Sequence, residues 1–394
     1  MARGSTLTTQ TGFDVAVIGG GIVGVAAAAH LAERGRRVVL FEQTAIAAAA
    51  SGRNSGVVQH PLDPVLVALH LETLGLYRAI AERVDDGFRL PDAPVGMLSV
   101  TNDVEAAQRL TAALAVDHPQ LEPTFLSPAA ARRLEPALAS GVAACRLDIG
   151  FPVAPAAATQ AYATLAAGLG VDIRVGGGPA HPWVVDGRVR GVRLEDGSTT
   201  VAAEVVVAAG PWSAALVDPS GGWRPIRPVW GVVLEVGLDV PPGHVLEEAE
   251  ISIEPGDDGS TVDASRIEFS LVTAAGVSSL GSTFLEDEPD PLALLPALVE
   301  RGARFVPAIA RAAAGTHRLC ARPQSRDGRP LVGAIPGIDG LWIAAGHGPW
   351  GISTGPASGR LIADLVCARE MIPPAALDPG RFGDPLPART VRPG

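Results

Sequence analysis

The stretch that most narrows how this chain can fold lies near its amino terminus, FDVAVIGGGIVGVAAAAHLAERG. Residues 13–18, FDVAVI, are a short β-rich apolar run of the kind that becomes a buried parallel strand. Gly19, Gly21 and Gly24 follow at G-x-G-x-x-G spacing, the next residues read as a helix ending at Gly35, and RRVVLFE reads as a second strand ending at Glu42. The first glycine permits a tight turn, the second lets backbone approach a pyrophosphate, and the third allows close helix–strand packing. Unpaired N–H groups and the positive dipole end at the helix start favour phosphate. A carboxylate at Glu42 can accept from a ribose hydroxyl and argues against a 2′-phosphate. The unit predicts a dinucleotide site, for FAD or NAD.

Composition removes several other chemistries. All 31 basic residues are arginine, so no lysine exists to form a Schiff base, hold pyridoxal or serve a Walker loop. A net charge of −11 argues against a nucleic-acid partner, which requires a positive footprint. Cys145, Cys320 and Cys367 are odd in number and far apart, and the eight histidines show no HExxH spacing. Neither a disulfide framework nor a metal site is expected, which fits a reducing cytoplasm. The polar opening MARGSTLTTQTG lacks the apolar core of a signal peptide. Uncharged Val15–Ala32 carries the glycine spacing of a strand–turn–helix unit, so no membrane span is expected. At 394 residues there is room for two domains or one large one.

The residues after Glu42 separate the two cofactors. A nicotinamide dehydrogenase would continue into another crossover helix, whereas this chain shows a small-residue loop, SGRNSG, at residues 51–56. Small residues let backbone lie against a flat ring or its phosphate linker, and Arg53 and Asn54 offer donors. Here the sequence resembles the D-amino-acid oxidase family of flavoproteins, of the glycine oxidase and monomeric sarcosine oxidase kind. The resemblance implies FAD, with Ile22, Val23, Glu42, Gln43, Ala50, Ser51, Ser55, Gly56 and Val57 at contact positions. It runs through nearly the whole chain and implies an α/β plus α+β fold. A discontinuous Rossmann-like FAD-binding domain would span 12–87, 149–224 and 317–370. An antiparallel-sheet substrate domain would be inserted as 88–148 and 225–316, leaving 1–11 and 371–394 as tails. A β-meander with an Asp196-Gly197 turn leads to a strand that would close the FAD sheet, bringing Ala209, Gly210 and Trp212 near the nucleotide half. The adenine contact would fall near Pro179 or Ala180.

A second signature lies some three hundred residues further on, RP-x-x-x-D-G-x-P-L-x-G from Arg322, then a strand, Gly346-His347-Gly348 and a helix. In the family this turn meets the flavin ring, which implies contacts from His347, Gly348, Pro349, Trp350, Gly351, Ile352 and Ser353, with Pro349 also bordering substrate. The helix start would aim its dipole at charge developing on the ring. His347 is placed in the catalytic centre, with a capping role as its alternative. Arg322 stands where the family binds the substrate carboxylate, against a surface pairing with Asp327. Phe269 occupies the place of glycine oxidase's substrate-binding tyrosine, implying a more apolar pocket. Cys320 falls where sarcosine oxidase carries its covalent flavin link, with buried packing as the alternative, and Ser279 falls where that enzyme has a lysine.

The implied reaction is hydride transfer from the α-C–H, or an N-alkyl C–H, of an amino acid to flavin N5. The product is an imine that water hydrolyses. No general base is assigned, because positioning and electrostatics carry such a step. The expected partners are a carboxylate-bearing amine and either oxygen or another electron acceptor. Two alternatives stand beside this: a 2-hydroxy-acid oxidoreductase, since SGRNSGVV also resembles the 2-hydroxyglutarate-oxidising relatives, and a flavin-carrying subunit of an electron-transferring complex.

Overall fold

A computed structural model describes residues 12–84, 87–249 and 267–385. The strands expected from FDVAVI and VVLFE are Phe13–Ile18 and Val38–Glu42, which pair in parallel with Val15 opposite Val38 and Ile18 opposite Phe41. They sit at the centre of a sheet ordered Leu331–Ala334, Leu341–Ala345, Thr199–Val207, Phe13–Ile18, Val38–Glu42, Asp172–Val175. Every neighbouring pair in it is parallel except the first. Strand alternation divides the core between the two faces. Val15, Val17, Val38, Leu40 and Val206 pack under helices on one side. Ala16, Ile18, Val39, Phe41, Val205 and Val207 pack under the Ala180–Val185 and Arg188–Leu194 hairpin on the other.

Helix Ile22–Glu33 has alanine or valine at seven of its twelve positions and is buried along most of its length. It packs on helix Gly351–Cys367, whose segment ISTGPASG is equally small. A Cβ at Gly359 would stand 2.7 Å from that of Ala26, and one at Gly355 would stand 3.0 Å from Ile22 Cγ2. This close approach brings the starts of the two helices to one place, although they lie at opposite ends of the sequence. A third helix, Pro64–Arg83, is capped by Asp63, whose carboxylate accepts from the N–H groups of Val65 and Leu66. By length and composition alone it could cross a membrane. In the fold its Leu66, Leu69, Leu74, Tyr77 and Ile80 are buried, and the Tyr77 hydroxyl donates to Ile352 O at 2.7 Å.

The second sheet runs Ala313–Ser325, Ile226–Gly237, Val277–Thr283, Ile267–Ala274, Val245–Glu248, Met97–Thr101, Ala143–Leu147, Thr124–Leu126. It is antiparallel apart from the Val245–Glu248 and Met97–Thr101 pair. Helix Pro291–Phe305 covers its core face. Two details differ from the expected domain limits. Strand Ala313–Ser325 pairs with Ile226–Gly237 along its length, so residues 317–325 belong to this sheet and not to the first. Residues 371–385, expected as part of a tail, pack on the first sheet, with Val332 N–H donating to Leu377 O and Pro379 filling the space beside Gly333. The expected tail segments 1–11 and 386–394 lie outside the described residues.

Candidate active site

Between the two sheets lies a cavity of about 880 Å³, within the range of ligand pockets. The glycine turn at 19–21 and the turn at 346–353 open onto this same space, joined by the 48–57 loop, the 208–212 turn and Arg322. Each turn is shaped by sterics that a side chain would break. Gly19 has φ +117°, and a Cβ there would lie 2.4 Å from Ala208 O. Gly348 has φ +53°, and a Cβ would lie 2.6 Å from Gln324 Oε1. Neither helix that starts at these turns is capped by the side chain of its own N-cap residue, Gly21 or Trp350, although Ser51 Oγ accepts from Ile22 N–H at 3.0 Å. Two helix starts converging on one cavity fit a ligand with a phosphate end and a ring that gathers negative charge.

Most of the expected FAD contacts line the cavity: Gly19, Gly21, Ile22, Val23, Glu42, Gln43, Ala50, Ser51, Arg53, Asn54, Ser55, Gly56, Val57, Ala180, Ala209, Gly210, Trp212 and all of 347–353. Gly24 does not. It sits behind the turn, where its hydrogen faces Gly19 O, in the packing role assigned to a third glycine. Glu42 lies at the strand end and accepts from Gly20 N–H at 2.8 Å and Thr44 N–H at 2.9 Å. Those bonds fix the carboxylate and leave its remaining lone pairs for a ribose.

Several side chains do something other than expected. Asn54 spends its amide on its own loop, donating to Ala50 O and Ser51 O and accepting from Gly56 N–H, so it shapes the loop from within. Arg53 donates to Leu319 O and ties that loop to the second sheet. His347 is buried, its Nε2 sharing a 2.9 Å hydrogen bond with Ser358 Oγ. Burial drives its pKa down to about 3, so the imidazole stays neutral and holds the turn to the helix instead of exchanging protons. Cys320 lines the cavity, with burial raising its thiol pKa. Ser279 lies in the sheet, where Arg318 donates to its hydroxyl at 2.7 Å and also pairs with Glu235. The cation beside Ser279 comes from strand Ala313–Ser325, reaching past the intervening strand Ile226–Gly237.

Phe269 requires correction. Its side chain is fully buried on the far face of the second sheet, stacked on Phe305 with ring centroids 4.8 Å apart. Its strand neighbours Glu268 and Ser270 line the cavity instead. Alternation puts adjacent residues on opposite faces, so Phe269 belongs to the core once Ser270 faces the pocket. Phe269→Ala is expected to cost about 3–5 kcal/mol of stability while leaving the KM for substrate nearly unchanged. Thermal unfolding and steady-state kinetics check this; a large KM change with normal stability would return Phe269 to the pocket.

Arg322 sits inside the cavity wall, its guanidinium 4.4 Å from the Phe284 ring centroid. Nη1 donates to Thr283 O at 2.8 Å and Nη2 donates to Ser282 Oγ. Asp327, its alternative partner, is taken by Arg381 at 2.8 Å. Arg322 has no carboxylate within ion-pair distance among the described residues. Room for the guanidinium depends on Gly231, where a Cβ would come within 2.4 Å of Nη1. Among the further cavity residues that sequence reasoning missed are Gln59, directly after the SGRNSGVV loop, and Glu247 and Glu268, which stand in stretches with no motif.

A family model described as FAD dependent oxidoreductase, DAO, matches residues 14–365. Glycine oxidase of Pseudomonas aeruginosa is 30% identical over 383 residues, covering 93% of this chain and 97% of that enzyme. Glycine oxidase of Geobacillus kaustophilus is 30% identical over 376 residues, covering 91% and 94%, and its crystal structure superposes with a TM-score of 0.74 at 26% identity over 94% and 97%. A D-amino acid dehydrogenase of Cereibacter sphaeroides is 34% identical over 216 residues, covering 54% of this chain and 46% of its own. The structure of glycine oxidase from Bacillus cereus shares the fold, with a TM-score of 0.77 at 23% identity over 96% and 100%.

Proposed function

The chain belongs to the DAO family of FAD-dependent oxidoreductases, and from that premise we propose that it oxidises an amino acid or N-substituted amino acid to an imine, which water then hydrolyses. When bound, FAD supplies the acceptor for the hydride that leaves the substrate C–H. The glycine turns at 19–24 and 346–353, with Glu42 and the 50–57 loop, would hold that cofactor.

One observation carries the reading: a half-buried arginine with no carboxylate within ion-pair distance among the described residues opens onto the cavity that both glycine turns share. A guanidinium so placed matches a substrate carboxylate bidentately and keeps its charge at any working pH. Phe284 and Trp230 on the same wall shelter the pair from water and strengthen it. Fixing the carboxylate also fixes where the α-carbon stands, and such positioning supplies much of the acceleration. The similarity to glycine oxidases and D-amino acid dehydrogenases favours an amine over a hydroxyl donor.

Mixing the FAD-loaded protein anaerobically with amino acids, N-methyl amino acids and 2-hydroxy acids tests this directly. Amino acids or their N-methyl forms should bleach the flavin absorbance, and 2-hydroxy acids should leave it oxidised. Bleaching by hydroxy acids alone would overturn the proposal.

A further inference from the structure

The cavity contains a pair of groups that neither the cofactor cradle nor Arg322 employs. Glu247 and Glu248 are adjacent on strand Val245–Glu248 and face opposite ways. Glu248 is held behind the sheet by Arg301, with Nε donating to its Oε2 at 2.9 Å, and it also accepts from Phe269 N–H. Glu247 faces the cavity, where it shares the wall with Gln59 and Glu268. Gln59 Nε2 donates to Glu247 Oε2 at 2.8 Å. The Gln59 backbone N–H donates to Ser353 Oγ at 2.9 Å, tying the pair to the first turn of the Gly351–Cys367 helix. Glu247 is thus fixed close to the turn that fits the redox ring.

That bond also orients the amide. With Nε2 on the carboxylate, Gln59 Oε1 is turned the other way, buried and without a hydrogen-bond partner among the described residues. Gln59 is only 8% exposed, and an unsatisfied buried acceptor costs about 1–3 kcal/mol. Glu247 therefore presents a carboxylate, held by a buried amide, to a pocket whose carboxylate anchor, Arg322, is already present. A positively charged N–H donor satisfies it.

We propose that Glu247, held in place by Gln59, forms the amine site of the substrate pocket: it binds the substrate ammonium and takes one of its protons. An N–H bond breaks, an O–H bond forms on Glu247, and nitrogen keeps the electron pair that stabilises the developing imine. No oxidation occurs in this step, and the proton passes to water when product leaves. The inference rests on the amino-acid oxidation proposed above. Burial pushes the Glu247 carboxyl up to about 7, against the Gln59 hydrogen bond, with the charge of Glu268 adding to the rise. The groups around it are Glu268 and Ser270 from strand Ile267–Ala274, Ser99 and Met97 from Met97–Thr101, and Gln59. A base with a pKa near the working pH is well matched to proton transfer.

Two measurements on the FAD-loaded protein test it. In wild type, kcat/KM for anaerobic flavin bleaching should rise with pH along a limb centred on about 7, as Glu247 ionises. In Glu247→Gln the limb should move up to the substrate amine's own pKa. Its rate near neutrality should fall by about 10²- to 10⁴-fold with flavin content unchanged. The second readout needs no turnover. 2-Methylalanine has no α-C–H, and its binding to wild type near neutrality should release protons, seen as a buffer-dependent heat. Binding of 2-methylpropanoate, which lacks the amine, should release none. A wild-type profile that follows only the amine's pKa, or 2-methylalanine binding without proton release, overturns the proposal even if the variant does not fold. Bleaching with superimposable wild-type and Glu247→Gln profiles removes the role of Glu247 alone, whereas no bleaching by any amino acid removes the oxidation reading itself.

Discussion

Arg322→Met lowers kcat/KM for the amino-acid substrate by about 30- to 4,000-fold while flavin stays bound. The range comes from the 2–5 kcal/mol lost when one partner of a buried charged pair is truncated, at about 1.4 kcal/mol per tenfold. Methionine fills a similar volume beside Phe284 but supplies neither charge nor fork. Simple carboxylates that perturb the wild-type flavin spectrum should then cease to do so. Arg322→Lys separates charge from shape: a lysine restores the charge but donates from one point, so it should recover only part of the loss, chiefly in KM. Gly231→Ala is expected to resemble Arg322→Lys, since its Cβ would occupy the guanidinium's place without touching the cofactor cradle. Rapid-mixing kinetics of flavin reduction, with absorbance ratios for flavin content, give all of these values. Unaltered KM and kcat in Arg322→Met would mean the carboxylate binds elsewhere; loss of flavin would mean the residue supports the fold instead.

The cofactor half of the site was legible because its chemistry is written in backbone. Gly19 and Gly24 are demanded by backbone conformation or contact distance that no other residue meets, so their spacing survives as text, whereas a Cβ at Gly21 would meet only Ser51 Oγ, at 3.1 Å. The second glycine turn is legible for the same reason, and the small residues of ISTGPASG explain how it reaches the first. The substrate half was read less well, since it consists of side chains on strands, where facing decides role. Glu268, Phe269 and Ser270 could each have faced the pocket. The pairing of Ile267–Ala274 with Val277–Thr283 shifts register between Ile267 and Ser270, and no residue pattern marks such a shift. Glu247 and Glu248 pose the same problem: two identical neighbours, one bound to Arg301 and one open to the cavity, distinguishable only once the strand's faces are known. The donor role expected of Asn54, which does line the cavity, differs for another reason. A donor in a tight loop competes for that loop's own carbonyls, and proximity in sequence favoured Ala50 and Ser51 over a ligand.

The amino-terminal turn supports the second large prediction. Gly24 stands in the first turn of helix Ile22–Glu33 with ordinary helical backbone, so alanine there meets no conformational penalty and should raise helix propensity. Contact works in the opposite direction. A Cβ would lie 2.0 Å from Gly19 O and 3.4 Å from Ala208 Cβ, and the nearer atom is backbone that no rotamer change can move. The helix must shift away from strand Phe13–Ile18 at about 1–3 kcal/mol, the usual cost of overpacking. That shift carries the first-turn N–H groups away from the phosphates they would bind, and it opens the seam with Ala26, Gly355 and Gly359 that holds the second turn in place. Both grips on FAD loosen together, so its affinity should fall at least about tenfold, the effect of only 1.4 kcal/mol. Gly75→Ala is the matched control. It lies on the exposed side of helix Pro64–Arg83 with nothing within 4 Å, and should leave FAD affinity unchanged and stability equal or higher. Fluorescence titration of the two apoproteins with FAD, beside their thermal midpoints, reads both effects. Equal FAD affinity in Gly24→Ala and wild type would show that the helix start does not grip the phosphates, and the cradle assigned to residues 19–24 would fall with it.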